Sequence, residues 1–215
     1  AMPAAGDVPV FWQTRAERTG YRQTPTYDET AEDLIGQGAI EPLIVVGVYN
    51  TADRISEYTP AVDAGRGGNA DNYGRFLVDE LKPFIDSTYR TLPDREHSGV
   101  AGSSLGGLVS MHFALTLSET FSRIGVVSPS VWWADQHILG EVRGSSKPAS
   151  RIWLDMGTGE GAEAVAGARA LRDALVAKGW VLGGDLAYVE APGAAHNEAA
   201  WARRFPGAVT WLLAR

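Results

Sequence analysis

The sequence predicts a single α/β domain whose mostly parallel sheet is covered by helices on both faces. Short apolar segments alternate along the chain with segments in which apolar residues recur at helical spacing, the order expected of strands and helices in such a domain. The candidate strands are apolar throughout instead of alternating with polar residues, which indicates burial on both faces of the sheet. A chain of 215 residues suffices for one domain with one core.

In the first half of the chain, the predicted elements follow from one apolar run and from residues that end helices. Gly38 suits the position directly after a helix, and Pro83 should kink or end the helix that contains it. Residues 43–48 are continuously apolar and largely β-branched, which predicts a buried strand. In order, we predict an irregular segment over 1–28 with a short strand at 8–12, a helix over 29–37, a strand over 43–48, a loop over 50–68 and a helix over 72–86.

In the second half, predicted strands and helices alternate more regularly. Gly179 follows an amphipathic segment and predicts the end of its helix, whereas Pro206 suits the first turn of a final helix. Ligands of parallel sheets bind at the carboxyl ends of the strands, so the functional site is expected at that edge. The predicted elements are a strand over 97–101, a helix over 106–117, strands over 124–127 and 151–155, a helix over 167–178, a strand over 186–190 and a helix over 206–213.

Composition excludes several classes of function. The net charge of −7, with no basic cluster to offset it, disfavours a nucleic-acid partner. The absence of cysteine excludes disulfides, thiolate nucleophiles and thiolate metal sites. No apolar run approaches the ~20 residues of a membrane span, so no membrane partner is expected. No signal peptide is visible after Ala1 and Met2, which favours a cytoplasmic location.

The strongest functional signal is a serine in a tight, glycine-rich turn between a predicted strand and a predicted helix. Gly102-x-Ser104-x-Gly106 matches the G-x-S-x-G nucleophile elbow, which needs small residues where the chain passes closely to itself. The N-terminus of the following helix favours negative charge that develops at the serine. A phosphate-binding turn is disfavoured because the Lys-Ser/Thr pair of a P-loop is missing.

A serine nucleophile needs a base, and four histidines compete for that role. His112 lies within the helix after the elbow, His97 begins the strand before it at the wrong end of the sheet, and His137 follows two tryptophans. His196 lies in the loop after the last strand, at the carboxyl end of the sheet. The chain order of serine, acid and then histidine also matches the hydrolase pattern, so His196 is the predicted base.

The third member should be a carboxylate that orients the imidazole and stabilises it when protonated. Two residues at or after the end of the strand over 151–155 qualify, Asp155 and Glu160. Asp155 is still on the strand, where its side chain can bond to the backbone. Glu160 lies in a glycine-rich loop and is free to reach inward, so it is favoured, with Asp155 as the alternative.

Four segments of the chain together carry a family resemblance. They are Ile44-Val45-Val46-Gly47-Val48-Tyr49-Asn50 with Arg54 and Glu57-Tyr58-Thr59-Pro60, then Glu80-Leu81-Lys82-Pro83-Phe84-Ile85-Asp86 with Tyr89-Arg90-Thr91, then the elbow from Gly102 to Leu108, and Ser128-Pro129-Ser130-Val131-Trp132-Trp133. Through these segments the chain resembles, from about Asp28 to the C-terminus, the esterase D and enterochelin-esterase-like family of the α/β-hydrolase superfamily, which includes feruloyl, acetyl and siderophore esterases.

The resemblance implies an α/β-hydrolase fold and a serine esterase that acts on a small-molecule ester without a metal or organic cofactor. Matched residue by residue, it places the triad on Ser104, on Glu160 as the acid of the Gly157-Thr158-x-acid loop, and on His196. An acyltransferase to an alcohol acceptor and a non-catalytic module that retains the fold are the alternatives. The three residue types, intact and in order, argue against the second alternative.

Substrate contacts follow from the same resemblance. The Ser-Pro-Ser-x-Trp-Trp segment edges the cleft in the family and would place Trp132 or Trp133 beside the scissile ester, which favours aromatic or bulky esters. Arg54 matches an arginine often found near that cleft, although an ion pair with Glu57 or Asp53 is an equal alternative for it. For the two tryptophans the alternative is packing in the core.

The N-terminus departs from the family pattern. Members usually begin with additional strands and an Asp-Gly-Gln turn that supplies one oxyanion N–H, and no such turn occurs in this chain. The backbone N–H of Leu105 should supply one donor, and the remnant of the missing strand would place the second near Gln13 or Thr14. A sheet shortened at these strands leaves an exposed edge, which favours a homodimer.

Overall fold

The computed structural model describes residues 10–15 and 27–213, and in them a parallel six-stranded sheet forms the centre of the domain. The strands are β1 (Val10–Arg15), β2 (Ile44–Tyr49), β5 (Ser98–Ser103), β6 (Arg123–Val127), β7 (Arg151–Gly157) and β8 (Leu186–Ala191). Their order is β2-β1-β5-β6-β7-β8, and every neighbouring pair is parallel. The α/β-hydrolase architecture predicted from the sequence is confirmed.

Helices cover both faces of this sheet. In chain order they are α1 (Tyr27–Gly36), α2 (Arg54–Glu57), α3 (Ala70–Arg75), α4 (Lys82–Thr88), α5 (Leu105–Thr116), α6 (Trp133–Gly144), α7 (Ala162–Ala177) and α8 (Glu198–Leu213). On one face α5 packs against β5 and β6 and α7 packs against β7, while α6 packs against α5 and α7. On the other face α1 and α8 pack against each other, and α8 covers β6 and β7.

Alternate residues of the central strands face the two helical layers, so the strands are apolar throughout. Along β7, Ile152 and Leu154 lie in the larger core beneath α5 and α7, whereas Trp153 packs with Phe205 and Val209 of α8. Burial on both faces removes apolar surface from water, which stabilises the folded state by ~25 cal/mol for each Å² buried. Because neither face is exposed to solvent, these strands lack the polar alternation of a half-exposed sheet.

The last helix begins eight residues before the predicted start at Pro206. Asn197 provides the N-cap, because its side-chain oxygen accepts a hydrogen bond of 2.9 Å from the backbone N–H of Ala200. Pro206 therefore lies inside α8. It is tolerated there although it cannot donate a hydrogen bond to the preceding turn. The prediction of a helix that starts at Pro206 was wrong, since Asn197 supplies the start signal.

Other element boundaries also differ from the sequence prediction. The helix α6 was not predicted, and it contains left-handed φ angles at Ala134, Asp135 and Gln136 that break its helical pattern. The predicted helix over 72–86 is divided into α3, a π-helical segment over Phe76–Leu81 and α4, with Pro83 in the first turn of α4. The predicted loop over 50–68 contains α2 and a hairpin of β3 (Val62–Asp63) and β4 (Arg66–Gly67).

The strand β1 lies inside the sheet, paired with β2 on one side and β5 on the other. The strand predicted over 8–12 is thus confirmed from residue 10 onward and extends to Arg15, while residues 8 and 9 lie outside the described part of the chain. Within that part, β2 is the strand at this edge of the sheet. None of the described helices is long and apolar enough to cross a membrane.

Candidate active site

The nucleophile elbow forms at the carboxyl end of β5, directly before α5. Ser104 has φ 61° and ψ −121°, a region that non-glycine residues rarely occupy and that costs ~1–3 kcal/mol. Three residues later, a Cβ on Gly107 would meet the carbonyl oxygen of Val127 at 2.8 Å, so only glycine permits helix and strand to approach this closely. The turn places the Ser104 side chain above the sheet and its backbone at the N-terminus of α5.

The structure brings Ser104, His196 and Glu160 together at this edge. The Ser104 hydroxyl lies 3.0 Å from His196 Nε2, a distance at which the hydroxyl donates to the ring nitrogen. On the other side of the ring, His196 Nδ1 donates to Glu160 Oε2 at 2.6 Å. Since Nδ1 carries the proton in this arrangement, Nε2 is the acceptor that faces the serine.

The Glu160 side chain is only 1% exposed, and three hydrogen bonds hold its carboxylate. Besides the His196 bond, Glu160 Oε1 accepts from the Ser128 hydroxyl at 2.6 Å and from the Gly157 N–H at 2.9 Å. Burial alone would raise the pKa of this carboxyl, but the bonds from His196, Ser128 and Gly157 outweigh it and lower the pKa. The carboxylate therefore stays ionised and fixed in orientation.

Two loops that bear the acid and the histidine are bonded to each other. Gly159 N–H donates to the carbonyl of Ala194 at 3.0 Å, and Gly193 N–H donates to the Thr158 hydroxyl at 2.7 Å. A Cβ on Gly157 would meet the Ala194 carbonyl at 2.2 Å, so glycine is required there for the two loops to touch. The glycines after β7 thus serve loop-to-loop contact as well as turn formation.

Asp155, the alternative acid, points elsewhere. It is fully buried, and its carboxylate accepts a 2.7 Å hydrogen bond from Trp153 Nε1 and lies 3.1 Å from Arg204 Nε. Burial raises the pKa of Asp155, opposed by the charge of Arg204. Of the two predicted carboxylates, the structure brings Glu160 and not Asp155 to His196, because one further turn of chain separates Glu160 from the strand.

Two residues that sequence reasoning missed also border the site. Trp201 of α8 contacts the His196 ring edge-on, with ring centroids 5.0 Å apart, a favourable aromatic geometry. Ser130 donates its backbone N–H to the carbonyl of Ser104, and its hydroxyl lies 3.4 Å from the Ser104 hydroxyl. The Asn197 cap could have located Trp201 from the sequence, because it starts a helix that places residue 201 one turn from residue 197.

The predicted substrate residues differ in exposure and in the contacts that they make. Trp132 is 61% exposed, whereas Trp133 is 7% exposed, belongs to the core and donates its indole N–H to Ala61. The Arg54 guanidinium lies over the Tyr58 ring at 5.5 Å. Its Nε is buried without a hydrogen-bond partner among the described residues, and no ion pair with Asp53 or Glu57 forms there.

The predicted oxyanion donors differ in their placement. Leu105 is the first residue of α5, so its N–H belongs to the first helical turn, whose amides lack partners within the helix. Gln13 lies within β1 opposite Ala101, and Thr14 lies opposite Gly102. The register therefore leaves Gln13 three positions short of Ser104, about 10 Å along the strand.

The other three histidines lie away from this site. His97 pairs with Asp94 before β5, and His137 pairs with Glu141 on α6. His112 is buried between Glu141, at 2.9 Å from Nδ1, and Asp71, at 3.0 Å from Nε2. Within the described residues, no group of three metal-ligating side chains is arranged to hold a metal ion.

The His112 cluster predicts a pH-dependent stability that is independent of the elbow. Burial lowers the pKa of His112, but Glu141 and Asp71 outweigh it and raise the pKa above 6.5. A raised histidine pKa stabilises the folded state fully below about pH 6.5, and this stabilisation is lost as pH rises through the folded value. Thermal unfolding midpoints should therefore fall from mildly acidic to alkaline pH.

The Glu141→Gln variant, which removes the half-buried partner shared by His112 and His137, should flatten that dependence. The exposed Asp71 contributes less because solvent screens it. An Asp94→Asn variant, which alters only the exposed His97 pair, is the matched control and should keep the wild-type slope. Parallel slopes in wild type and Glu141→Gln would contradict a charged His112 in the folded state.

Comparison with known proteins identifies the family of this fold and elbow. The family model described as "Putative esterase" matches residues 3–212, a range that includes both the elbow and the histidine loop. The Bacillus subtilis "Uncharacterized protein YbbA" is 24% identical over 201 residues, which cover 87% of this chain and 80% of that protein.

Two further relatives carry descriptive names. The ferri-bacillibactin esterase BesA of Bacillus subtilis is 31% identical over 116 residues, 46% of this chain and 39% of BesA. The crystal structure of the enterobactin esterase FES from Shigella flexneri superposes with a TM-score of 0.80 at 19% identity, over 95% of this chain and 52% of that one. The chain thus spans about half of FES and less of BesA, and the structural likeness establishes a shared fold.

Proposed function

The chain belongs to the esterase family and is a carboxylic ester hydrolase of the α/β-hydrolase fold, and on that premise we propose that Ser104, His196 and Glu160 form its catalytic triad. The observation that carries the proposal is the continuous chain of hydrogen bonds from the Ser104 hydroxyl through the His196 ring to the Glu160 carboxylate. This arrangement is the one in which a neutral imidazole can take the proton of a serine hydroxyl.

The proposed reaction proceeds in two steps. Ser104 Oγ attacks the carbonyl carbon of the ester while His196 Nε2 accepts its proton, and the same proton then goes to the leaving alcohol. Glu160 stabilises the imidazolium that exists between these transfers. Water, activated by the neutral His196, attacks the acyl-enzyme and releases the acid and free Ser104.

The negative oxygen of the tetrahedral intermediate requires backbone donors. We assign one to the N–H of Leu105, which follows the nucleophile and opens α5, where the helix dipole also favours negative charge. The second donor is assigned to the carboxyl end of β1, whose register reaches the level of Gly102 at Thr14. Each such donor contributes about 10²–10³ in turnover.

A bulky or aromatic ester is the proposed substrate class. BesA is named as a ferri-bacillibactin esterase and FES as an enterobactin esterase, and another relative is named as an endo-1,4-beta-xylanase/feruloyl esterase. In this chain Ser130 donates its backbone N–H to the Ser104 carbonyl, and the exposed Trp132 lies two residues further on. The Trp132 ring can therefore line one wall of the substrate cleft beside the ester. Arg54, which matches an arginine near the cleft in the family, is proposed to bind a polar substituent on the same ligand.

A panel of chromogenic esters graded by acyl length and ring content tests this assignment. The wild-type protein should hydrolyse aromatic esters more efficiently than acetyl esters of the same alcohol. Trp132→Ala should lower kcat/KM for the aromatic esters by about tenfold, the equivalent of ~1.4 kcal/mol of lost ring contact, and change that for acetyl esters little. The exposed Phe84 of α4 provides a matched control, and Phe84→Ala should leave kcat/KM unchanged for aromatic and for acetyl esters.

Protein inert toward every ester would contradict hydrolysis, and an equal loss on acetyl and aromatic esters would contradict the role of Trp132. Product analysis with competing alcohols separates hydrolysis from acyl transfer. If transfer outpaces hydrolysis, the protein is an acyltransferase to an alcohol acceptor. The homodimer and the cytoplasmic location expected from the sequence stay predictions.

A further inference from the structure

We propose that Arg204 is a positioning residue for the triad acid and acts on Glu160 through the hydroxyl of Ser128. The inference rests on the proposed triad. Arg204 lies on α8 with its side chain 8% exposed, on the opposite side of Glu160 from His196. Nothing in the elbow motif or in the order of serine, acid and histidine points to this residue.

The direction of the hydrogen bonds through Ser128 is set by the guanidinium. Arg204 Nη2 donates to Ser128 Oγ at 2.6 Å, and an arginine can donate but never accept. The serine oxygen therefore accepts from Arg204, and its single proton is directed to Glu160 Oε1, also at 2.6 Å. A freely rotating hydroxyl could instead turn its lone pairs toward the carboxylate, which would repel it.

The backbone holds Ser128 where this relay requires it. Ser128 has φ 42°, a left-handed conformation directly after β6, and its N–H donates to the Asp155 carbonyl at 3.0 Å. The residue is 1% exposed, so water does not compete for the hydroxyl. Strain at a buried non-glycine residue indicates that the surrounding structure specifies its placement.

The charge of Arg204 is shared between two buried carboxylates. Its Nε lies 3.1 Å from Asp155 Oδ1, and its Nη2 lies 3.7 Å from Glu160 Oε1. Such charges, shielded from solvent, interact more strongly than exposed ones. Asp155 thereby anchors the guanidinium, and the anchored guanidinium favours the ionised form of Glu160, which must stay anionic while His196 becomes protonated.

Arg204→Met should lower kcat by about 10- to 100-fold, the factor expected on losing a hydrogen bond in a network around a charged group. KM should change less than about threefold, because Arg204 does not face the ester. The acidic limb of the kcat profile should move to higher pH, since Glu160 then takes up a proton more readily. Arg204→Lys, which retains the charge and a donor, should restore part of the loss, and the neighbouring Arg203 supplies the control Arg203→Met.

Two further variants separate positioning from folding. Ser128→Ala removes the relay but leaves the Arg204–Asp155 pair intact, and it should reproduce the loss in kcat. Asp155→Asn/Arg204→Met removes both buried charges together, so its unfolding midpoint should recover relative to Arg204→Met while kcat stays low and the acidic limb stays shifted. Folded Ser128→Ala and double variants with wild-type kcat and pH profile would overturn the role of Arg204.

Glu160→Gln, measured alongside, distinguishes failure of this inference from failure of the triad. An inactive Glu160→Gln with a fully active Arg204→Met would reject Arg204 alone. Activity retained in both variants would reject Glu160 as the triad acid, and the proposed function would fall with it.

Discussion

Ser104→Ala is expected to lower kcat by roughly 10⁴- to 10⁶-fold, the range found when a serine nucleophile with its own base is removed. The residual rate would come from the oxyanion donors and from substrate binding, which the substitution leaves in place. KM should stay close to that of the wild type. A fluorophosphonate should label the wild-type protein at the peptide that contains Ser104 and leave the variant unlabelled.

The loss of kcat should reflect Ser104 and His196 acting together, and not Ser104 alone. Ser104→Ala/His196→Ala should be no slower than Ser104→Ala, because without the nucleophile the base has no proton to accept. The neighbouring Ser103, which ends β5, provides the control Ser103→Ala, which should retain activity and labelling. Additive losses in the double variant, or label found at Ser103, would contradict the assignment of Ser104 and His196 as partners.

The turn at Ser104 and the position of His196 beside it could be predicted because their signals are local or topological. Gly102, Ser104 and Gly106 lie close together in the sequence, and their conformation follows from a turn that the sequence itself specifies. His196 was predicted from its place after the last strand, since parallel strands bring all their carboxyl ends to one edge. The 3.0 Å contact between these two side chains agrees with that reasoning.

Other parts of the site depend on packing that no local pattern reveals. Arg204 donates a hydrogen bond to Ser128, which lies 76 positions earlier in the sequence. In the sequence of its own helix, nothing distinguishes Arg204 from its neighbour Arg203, which the structure shows to be more exposed. The start of α8 at Glu198 was missed because Asn197 reads equally well as a loop residue and as a cap. Gln13 was placed from a family turn absent in this chain, and only the strand register showed how far it lies from Ser104.

The choice between Glu160 and Asp155 shows why geometry decides where spacing does not. Asp155 lies within β7 and Glu160 follows that strand closely in the sequence, and both carboxylates are buried. Asp155 has its hydrogen-bonding capacity taken by Trp153, by Ser128 and by the pairing with Arg204. Glu160 keeps one oxygen for the histidine because the turn over Thr158–Glu160 carries it past the end of β7 and back toward the site.

Glu160→Gln should therefore lower kcat by roughly 10³- to 10⁴-fold, through the tautomer of His196 and not through the fold. The glutamine oxygen can still accept from Ser128 and Gly157, which leaves its NH₂ group facing His196 Nδ1. Two donors cannot face each other, so the imidazole is driven to the tautomer with Nδ1 unprotonated. Nε2 then carries the proton and can no longer accept one from the Ser104 hydroxyl.

Measurement of kcat, of the thermal unfolding midpoint and of the imidazole nitrogen signals by NMR would test each step of this argument. The midpoint should change little, because the substituted side chain keeps its volume and two of its hydrogen bonds. The matched change Glu96→Gln, at the opposite end of β5, should leave kcat unaltered. If Glu160→Gln kept wild-type turnover with Nδ1 still protonated, the carboxylate would not be what orients the base, and the 2.6 Å contact between them would have no catalytic meaning.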